Sequence, residues 1–377
     1  MAALAGQGLA DSTDIAVIGG GVVGAAIAYG LVRAGVSVAV IDEGDAALRA
    51  SRGNFGLVWV QGKGAGFTPY AHWTRRSADL WPDFAAELRA ETGVDVAHRR
   101  PGGLEICLTE DEFRDAAAEL EGLQAATDEA FDYEMLDVEA LRDLVPAVSG
   151  QVVGASYSRL DGHVSPLMLL RALHAGLAGG GGRYLAWGPV REVRRAGGGF
   201  EIRGAGGDRH ACGRVVLAAG LGNRALAPMV GLAAPVRPVR GQILVTERVR
   251  PFLDLPTVLV RQTADGPVQI GDSHEDVGLD DGTTGGVMAA IAARAVATFP
   301  VLGDARIVRA WGALRIVTPD GAPIYDAGDH AHLATCHSGI TLAAAHARLV
   351  PDWVLGAAAA PSLHDFSARR FDVPAAS

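Results

Sequence analysis

The pattern of apolar and polar positions near the start of the chain predicts a strand, a helix and a second strand in close succession. An apolar run at 15–18 ends in three consecutive glycines, and apolar residues at helical spacing then continue to Arg33. A second run of β-branched residues at 36–41 closes on Asp42. Short apolar runs bounded by glycine are typical of buried strands, and the longer periodic stretch between them is typical of a crossover helix. The pattern therefore predicts a β-α-β unit.

The glycines of this unit have the spacing of a dinucleotide-binding turn. Gly19, Gly21 and Gly24 form the pattern G-x-G-x-x-G, and Asp42 stands at the tip of the second strand. These glycines allow a tight turn, the approach of a pyrophosphate and close packing of helix on strand, and the helix N-terminus attracts phosphate. Asp42 accepts hydrogen bonds from ribose hydroxyls and repels a 2′-phosphate, which disfavours NADP. The alternative is a glycine-rich turn in an ordinary α/β unit.

Apolar periodicity along the rest of the chain predicts both helices and short strands. Helical patterns occur at 69–92, 110–129, 137–144, 167–177 and 285–299, and a last helix is expected to open at 336–342 and run toward 355. Strand-like runs occur at 57–60, 103–108, 183–185, 190–194, 200–203, 214–219, 236–246, 258–261, 268–271, 306–313 and 333–335. Because parallel-type and antiparallel-type segments alternate, the fold class is α/β: a Rossmann-like nucleotide-binding domain interleaved with an α+β substrate domain built on an antiparallel sheet.

The interleaving predicts discontinuous domains. The nucleotide-binding domain is predicted to comprise 1–80, 150–225 and 315–377, and the substrate domain 81–149 and 226–314.

Charge and cysteine content exclude several classes of protein. The 377 residues carry a formal net charge of −10, which argues against a nucleic-acid-binding surface. The three cysteines, Cys107, Cys212 and Cys336, are widely spaced and form neither a disulfide framework nor a metal site. No metal is expected on this chain, and any iron–sulfur cluster of the system would lie on another chain.

The amino-terminal apolar stretch has two interpretations. Residues 15–32 are uncharged for almost the length of a membrane span, but the glycines near its start favour a buried β-α-β unit. The leader from Met1 to Thr13 has no basic residue and contains Asp11, so it is not expected to be a secretory signal. We therefore expect a cytoplasmic protein.

Several loops remain open to two interpretations. The segment Ser51–Gly56 is either a second dinucleotide contact or a plain surface loop, and 61–66 is a flexible stretch suited to a lid or a partner contact. His163 either touches a ligand or is a turn residue satisfied by the backbone. The junction at 336–342 places a second helix N-terminus where it can face an electron-rich ring.

Several motifs together resemble those of flavoproteins in the D-amino acid oxidase, glycine oxidase and sarcosine oxidase superfamily, over nearly the whole chain. They are the amino-terminal fingerprint, the turn 161–166, the strand 215–220, the segments 238–242 and 311–315, the turn 318–321 and the carboxyl-terminal 337–339. Within the superfamily, SRGNFGLVWVQGKG, YAHWTRRS and TCHSGITLAA are most similar to the β subunits of opine (octopine/nopaline) oxidases and hydroxyproline dehydrogenases.

This resemblance implies FAD as the cofactor and assigns its contacts. The residues implied to hold the ADP half are Gly19, Gly21, Gly24 and Asp42. Those implied to lie along the pyrophosphate, ribityl chain and flavin are Ser51, Arg52, Asn54 and Phe55. Val190 is implied to contact adenine through its backbone, and Ala219 and Gly220 to line the same channel. The N–H groups implied to face the flavin's pyrimidine end belong to Gly339, Ile340 and Thr341.

The implied reaction is dehydrogenation of a carbon–nitrogen bond next to a carboxylate. Arg315 falls where the superfamily clamps the substrate carboxylate, a task suited to a planar guanidinium. His337 is the second catalytic candidate, as a hydrogen-bonding partner of flavin or substrate, or else a residue of the helix start. A neutral amine needs little acid–base help, so orientation is expected to supply much of the rate.

Two departures from the superfamily bear on the electron acceptor. Cys336-His337-Ser338 stands where simple oxidases have a glycine-rich triplet. Some relatives use an active-site tyrosine, and Tyr325 lies in the corresponding neighbourhood, but its interpretation as a packed strand residue is at least as good. The leading hypothesis is therefore the catalytic subunit of a hetero-oligomer, acting on an opine or hydroxyproline type of amino acid. Electrons would pass to a partner subunit with further redox centres or to a quinone pool. The alternatives are a freestanding oxidase that produces hydrogen peroxide, a non-catalytic flavin-binding subunit and an NAD-dependent dehydrogenase.

Overall fold

The structure, a computed structural model, describes residues 12–44, 50–127, 131–271 and 273–372. The leader 1–11, on which the expectation about a secretory signal rests, lies outside them, as does the predicted helix end at 129. The helices are α1 Val22–Arg33, α2 Thr68–Thr92, α3 Glu110–Ala126, α4 Val138–Leu144, α5 Pro166–Gly179, α6 Asn223–Leu226, α7 Gly285–Thr298, α8 Ala343–Arg348 and α9 Val350–Leu355. The strands are β1 Ser12–Ile18, β2 Val38–Asp42, β3 Leu57–Val58, β4 Gly103–Cys107, β5 Glu134–Asp137, β6 Gly154–Ser158, β7 Gly162–His163, β8 Arg183–Ala186, β9 Val190–Ala196, β10 Gly199–Gly204, β11 Arg209–Leu217, β12 Arg237–Arg248, β13 Val260–Gln262, β14 Pro267–Gly271, β15 Ile307–Val317, β16 Ile324–Ala327 and β17 Ala331–Thr335.

A mixed sheet carries the amino-terminal unit. Its strand order is β16-β17-β11-β1-β2-β8, with β10 and β9 joined to β11. The central strand β1 runs parallel to both β2 and β11, and β17 also runs parallel to β11. Since parallel strands present their carboxyl ends at one edge, the residues that follow β1, β2 and β11 meet there. This edge is where the fold can hold a dinucleotide.

Helix α1 is buried on almost every side between this sheet and the carboxyl-terminal helices. Most of its residues are small, and all but two of the twelve are buried. Gly30 marks the closest approach, since a Cβ added there would lie 2.0 Å from the Ala347 carbonyl oxygen and 2.5 Å from Pro351 Cγ. Small residues thus fix the separation between α1 and the α8–α9 segment.

The second part of the fold is built on antiparallel sheets. The long strands β12 and β15 pair along most of their length, and β14 and β13 extend that sheet on the other side of β12. A three-stranded sheet, β4-β6-β5, contributes to the same hydrophobic core, in which Leu104 and Leu136 meet Leu244 and Phe299. The predicted antiparallel sheet is therefore present, while the bounds of the two domains stay a prediction.

Four strands were not predicted from the sequence. β5, β6 and β7 lie between α3 and α5, β7 within the predicted turn 161–166, and β16 lies next to β17. β6 has the sequence GASYS, without a β-branched residue, so its strand conformation comes from pairing with β4 and β5 on its two sides. The predicted strand at 57–60 is also shorter than expected, because only Leu57–Val58 pairs with β7.

The prediction of one carboxyl-terminal helix was wrong. The chain forms turns at 339–342 and then two short helices, α8 and α9, separated at Leu349. Pro351 lies in the first turn of α9, where it removes a backbone N–H and its ring would clash with the carbonyl of Ala347 in a continuous helix. The proline therefore divides the helix.

The apolar stretch at 15–32 is divided between β1 and α1. Within the described ranges, no helix is long and apolar enough to cross a membrane.

The contact at Gly30 yields a stability prediction. We expect Gly30→Ala to lower the free energy of unfolding by about 1–3 kcal/mol, because the added methyl overlaps the Ala347 carbonyl and forces the helices apart. Gly122→Ala is the matched control, since Gly122 is an exposed position in α3 with nothing within 4 Å of an added Cβ, and there the change should be neutral or stabilising. Urea unfolding followed by circular dichroism measures both, and equal midpoints for the two variants would contradict the packing argument.

Candidate active site and cofactor cleft

The turn between β1 and α1 has no space for side chains. Gly19 has φ +111°, and a Cβ added there would lie 2.3 Å from the Ala218 carbonyl oxygen. A Cβ at Gly24 would lie 1.9 Å from the Gly19 carbonyl oxygen, so only glycine lets α1 start this close to the strand. Ser51 Oγ accepts a hydrogen bond from Val22 N at 2.9 Å at the start of α1. These features fit the pyrophosphate of a dinucleotide, which needs exposed backbone N–H groups and close approach.

Asp42 is buried at the end of β2, directly beside this turn. Its Oδ2 accepts a hydrogen bond from Gly20 N at 2.7 Å, and its Oδ1 accepts from Gly44 N at 2.9 Å and from the Tyr184 hydroxyl at 2.9 Å. Three donors hold the carboxylate at the tip of the strand, where the sequence pattern predicts an acid for the adenosine ribose. The acid and the glycine turn thus form one cleft.

Tyr184 and His174 belong to this cleft and were missed from the sequence. His174 Nε2 lies 2.9 Å from the Gly20 carbonyl oxygen, and its ring packs on Tyr184 with centroids 4.8 Å apart. Tyr184 lies on β8, which pairs in parallel with β2. The only available signal was an aromatic residue in a short predicted strand, and nothing local indicates which strand it joins.

Three further predicted cofactor residues lie around the same edge. Ala219 and Gly220 follow β11, and the Ala219 Cα would lie 2.8 Å from a Cβ at Gly19. Trp187 N donates to the Asp42 carbonyl at 3.0 Å, and half-buried Val190 begins β9 three residues later. The structure therefore brings the predicted ADP contacts together.

A cavity of about 360 Å³ lies beyond the turn and contains most of the remaining predicted residues. Its lining includes Asn54, Phe55, Arg315, His337, Ile340 and Thr341. Arg52 instead lines a neighbouring cavity of about 720 Å³, which Asn54 also borders. Gly339 lies beside α1, since its added Cβ would be 3.1 Å from Val23 Cγ2. Segments from both ends of the chain thus enclose one space next to the nucleotide cleft.

The segment 339–341 is held by bonds to distant parts of the chain. Thr341 Oγ1 accepts from Trp59 N at 3.1 Å, and the Thr341 carbonyl accepts from Ser77 Oγ at 2.8 Å and Trp81 Nε1 at 2.9 Å. Each partner is buried. The backbone after β17 is therefore fixed where the sequence predicts contacts to the flavin.

Arg315 projects from β15 into this cavity across Gly241 of β12. Its Nη1 donates to the Ser273 carbonyl at 2.6 Å, and a Cβ at Gly241 would lie 2.4 Å from the same nitrogen. Gly241 thus provides the space in which the guanidinium lies. A residue with a side chain at that position would displace it.

The loop at 273–284 is anchored by a buried arginine. Arg240, 2% exposed, binds Glu275 through Nη2 at 2.7 Å and Asp280 through Nη1 at 2.6 Å, and its backbone exchanges two hydrogen bonds with Glu275. The hydrogen bond from Arg240 is the main reason that the pKa of Glu275 lies below its usual value. This anchor holds Ser273 and His274 over Arg315, and the sequence pattern contained no indication of the pairing.

His337 is suited to hydrogen bonding in its neutral form. Burial, together with the smaller effects of the charges of Lys63, Arg315 and His274, lowers its pKa to about 3. The next residue, Ser338, accepts a hydrogen bond from the Tyr70 hydroxyl at 2.7 Å. At neutral pH the imidazole therefore contributes a donor and an acceptor to the cavity and no charge.

Tyr325 and Cys336 are packed in the interior. The Tyr325 hydroxyl accepts from Trp73 Nε1 at 3.0 Å and lies 2.8 Å from His346 Nε2, in a group of aromatic rings with 1% exposure at the tyrosine. Burial raises the pKa of the Cys336 thiol to about 12, so it stays protonated. Both residues stabilise the wall behind the cavity. Of the described residues, no three of His, Cys, Asp or Glu are grouped so as to hold a metal ion.

His163 lies at the larger cavity, where its Nδ1 is 3.2 Å from Arg261 Nη1. It is therefore bonded to a side chain, and not only to the backbone as the turn interpretation expected.

A tight glycine turn, a buried acid at the tip of the next strand and a cavity with a guanidinium are the features that the sequence motifs predicted for a flavoprotein. A model of the FAD dependent oxidoreductase family matches residues 14–353. The chain belongs to the family of FAD-dependent oxidoreductases. FAD is the cofactor of this family, and the superfamily predicted from the motifs is confirmed.

Known members of this family match the chain along nearly its whole length. The opine oxidase B subunit of Agrobacterium tumefaciens (strain Ach5) is 41% identical over 95% of this chain and 97% of its own. The corresponding opine oxidase chain of Rhizobium meliloti is 40% identical over 95% and 98%. The crystal structure of glycine oxidase from Geobacillus kaustophilus has a TM-score of 0.86 at 26% identity and covers 95% of this chain and 98% of that one. The predicted α/β fold class is therefore confirmed.

The cleft of this FAD-dependent oxidoreductase predicts an effect on cofactor affinity. We expect Asp42→Asn to weaken FAD binding by about tenfold or more, because the carboxylate that accepts from Gly20 N is predicted also to accept from the ribose, and an amide offers only one acceptor oxygen. Flavin absorbance per chain after dialysis, and the Kd from quenching of flavin fluorescence, measure the effect. Asp14→Asn is the control, since Asp14 accepts from Ser37 N at the exposed other end of β1. Equal Kd values for both variants would remove Asp42 from the cofactor site.

The contact of Gly241 with Arg315 predicts a selective effect on substrate binding. We expect Gly241→Ala to raise KM about tenfold or more for a substrate with a carboxylate, because the new methyl displaces the guanidinium, while the FAD content stays unchanged. Gly285→Ala is the matched control, because nothing lies within 4 Å of a Cβ at that position. Steady-state kinetics with an artificial dye as electron acceptor compares them. An unaltered KM in Gly241→Ala would show that Arg315 does not bind the carboxylate.

Proposed function

We propose that this FAD-dependent oxidoreductase dehydrogenates the C–N bond of an N-substituted amino acid of the opine type, as the catalytic subunit of a hetero-oligomer. The observation that carries the proposal is the position of the Arg315 guanidinium, which lines one cavity with Phe55, Ile340 and Thr341, the residues predicted to contact the flavin. The similarity to the B subunits of two opine oxidases supports both the substrate class and the partner subunit.

The residues of the cavity are assigned to binding and orientation. Arg315 binds the substrate carboxylate through two parallel hydrogen bonds, which fixes the adjacent carbon. Ser273 orients the guanidinium by accepting from its Nη1. Neutral His337 accepts or donates one hydrogen bond without adding charge to the cavity, whose lining also includes Glu105 and Glu119. Bound FAD supplies the acceptor, flavin N5, for the hydride that leaves this carbon.

The partner and the electron acceptor are part of the proposal. Electrons are proposed to pass to a partner subunit with further redox centres. A link of that assembly to a quinone pool stays a prediction. The cytoplasmic location of the protein also stays a prediction. Hydroxyproline-type substrates remain the second substrate class.

A second function is favoured by the similarity to glycine oxidase. It is a freestanding D-amino acid or glycine oxidase that passes electrons to oxygen and releases hydrogen peroxide. A non-catalytic flavin-binding subunit is the third alternative, and Arg315 in the cavity argues against it.

An anaerobic substrate panel tests the proposal. We expect the flavin absorbance of the purified chain to be bleached by nopaline or octopine and not by glycine or D-alanine, because the cavity binds a larger carboxylate-bearing amine. Stopped-flow absorbance gives the reduction rate and the apparent Kd. In air, dye reduction without peroxide supports the role as a subunit, whereas peroxide at the rate of turnover supports the freestanding oxidase.

Arg315→Lys is the matched variant for the panel. We expect it to keep its FAD and to lose about 10–100-fold in affinity for the bleaching substrate, because Lys lacks the bidentate geometry. A panel in which no amino acid or opine bleaches wild-type flavin would reject the proposed function.

A further inference from the structure

The cavity that contains Arg315 adjoins a second chamber. This outer chamber has a volume of about 410 Å³, and four residues line both spaces: Lys63, His274, Arg315 and His337. The other residues that line the outer chamber are Arg237, Val239, Asp276, Val317 and Gly321. A ligand held by Arg315 therefore has room on both sides of the guanidinium.

The register of the β12–β15 pair places two arginines on one face. Val239 is paired with Arg315, and Arg237 with Val317. Side chains two residues apart on a strand point to the same side, so Arg237 is the diagonal neighbour of Arg315, about 7–8 Å away between Cα atoms. The two valines form an apolar floor beneath them.

The charges of the outer chamber favour an anion. Lys63, Arg237 and Arg315 are cationic, and Asp276 supplies the carboxylate among the described lining residues. The pair of Arg237 with Asp276 spans 3.9 Å between two exposed side chains, at 57% and 83%, so it is weak and easily exchanged. His337 adds no opposing charge because it is neutral. This positive chamber occurs on a chain with a net charge of −10.

Lys63 is positioned by a buried network. Asp161, which is fully buried, accepts hydrogen bonds from Val60 N and from the backbone and side chain of Gln61. Ser156 Oγ donates to Gln61 Oε1 at 2.7 Å. The segment that ends in Lys63 is therefore fixed at the boundary of the two chambers.

We propose that the outer chamber binds the second carboxylate of a dicarboxylic secondary amine, through Lys63 and Arg237, while Arg315 binds the carboxylate beside the reacting carbon. The inference rests on the proposed function and adds to it how the enzyme selects its substrate. The enzyme recognises two carboxylates, one on each of the carbons that flank the nitrogen. Glycine and simple N-alkyl amino acids leave the outer chamber without a charged partner.

A matched pair of substrates tests the chamber on the FAD-containing protein. One is an N-(1-carboxyethyl) amino acid, and the other is its N-isopropyl analogue, in which a methyl group replaces the second carboxylate. We expect the double variant Lys63→Met/Arg237→Gln to raise the Kd of the dicarboxylate about 10–100-fold, because it loses charge-assisted hydrogen bonds. The limiting rate of anaerobic flavin reduction, and both constants for the monocarboxylate, should change less than about threefold. Arg248→Gln, at the exposed far end of β12, is the control and should match wild type.

A binding readout separates this inference from the proposed function. Thermal stabilisation by glutarate, an unreactive dicarboxylate, gives a Kd without turnover, and we expect butyrate to bind more weakly. Glutarate binding that is lost in the double variant supports the chamber even if no amine bleaches the flavin, a result that would reject the proposed function alone. Equal affinity of wild type and double variant for glutarate, or an equal loss for both amines, would overturn the inference.

Discussion

The close approach of α1 to the turn after β1 is the constraint on which the rest of the structure depends. Gly24 lies so near the Gly19 carbonyl that no side chain fits between them, which brings the helix N-terminus onto the sheet edge. Because β1 is the central strand, its neighbours β2 and β11 end at the same edge. Asp42 and Ala219 are therefore adjacent to the turn although they are far apart in the sequence. One tight backbone contact thus places the acid, the glycine turn and the residues after β11 in a single cleft.

The substrate side of the molecule is held by different forces. Around the nucleotide cleft, small apolar residues pack with backbone hydrogen bonds, and that arrangement suits a rigid cofactor. Over the substrate cavity, the 273–284 loop is fixed by Arg240 with two acids, and Arg315 in turn donates to that loop. Such charge-assisted bonds give strong orientation at a few points. The same molecule thus combines a closely packed nucleotide cleft with a polar cavity that is held by a few directional bonds.

His337 is neutral and Arg315 beside it is cationic, and this combination suits the binding of a carboxylate. Carboxylate binding needs a positive charge, whereas hydride loss from an amine needs the nitrogen lone pair. Burial keeps the histidine uncharged, and Lys63, Arg315 and His274 reinforce this. Of His337 and Arg315, only Arg315 therefore carries a charge that suits a carboxylate.

The sequence by itself determined the β1–α1–β2 unit with the acid at its tip and most helices, because periodicity and glycine spacing depend on near neighbours along the chain. It also singled out Arg315, Ile340 and Thr341 through their motifs, and all three line the cavity. Only the tertiary structure decided the rest. Tyr184 reaches Asp42 because β8 happens to add to β2, Arg52 faces a different cavity from Phe55, and Arg240 finds its acids on a loop more than thirty residues away. Such contacts depend on which strand pairs with which, and strand pairing is set by the collective burial of the core, which no local pattern contains.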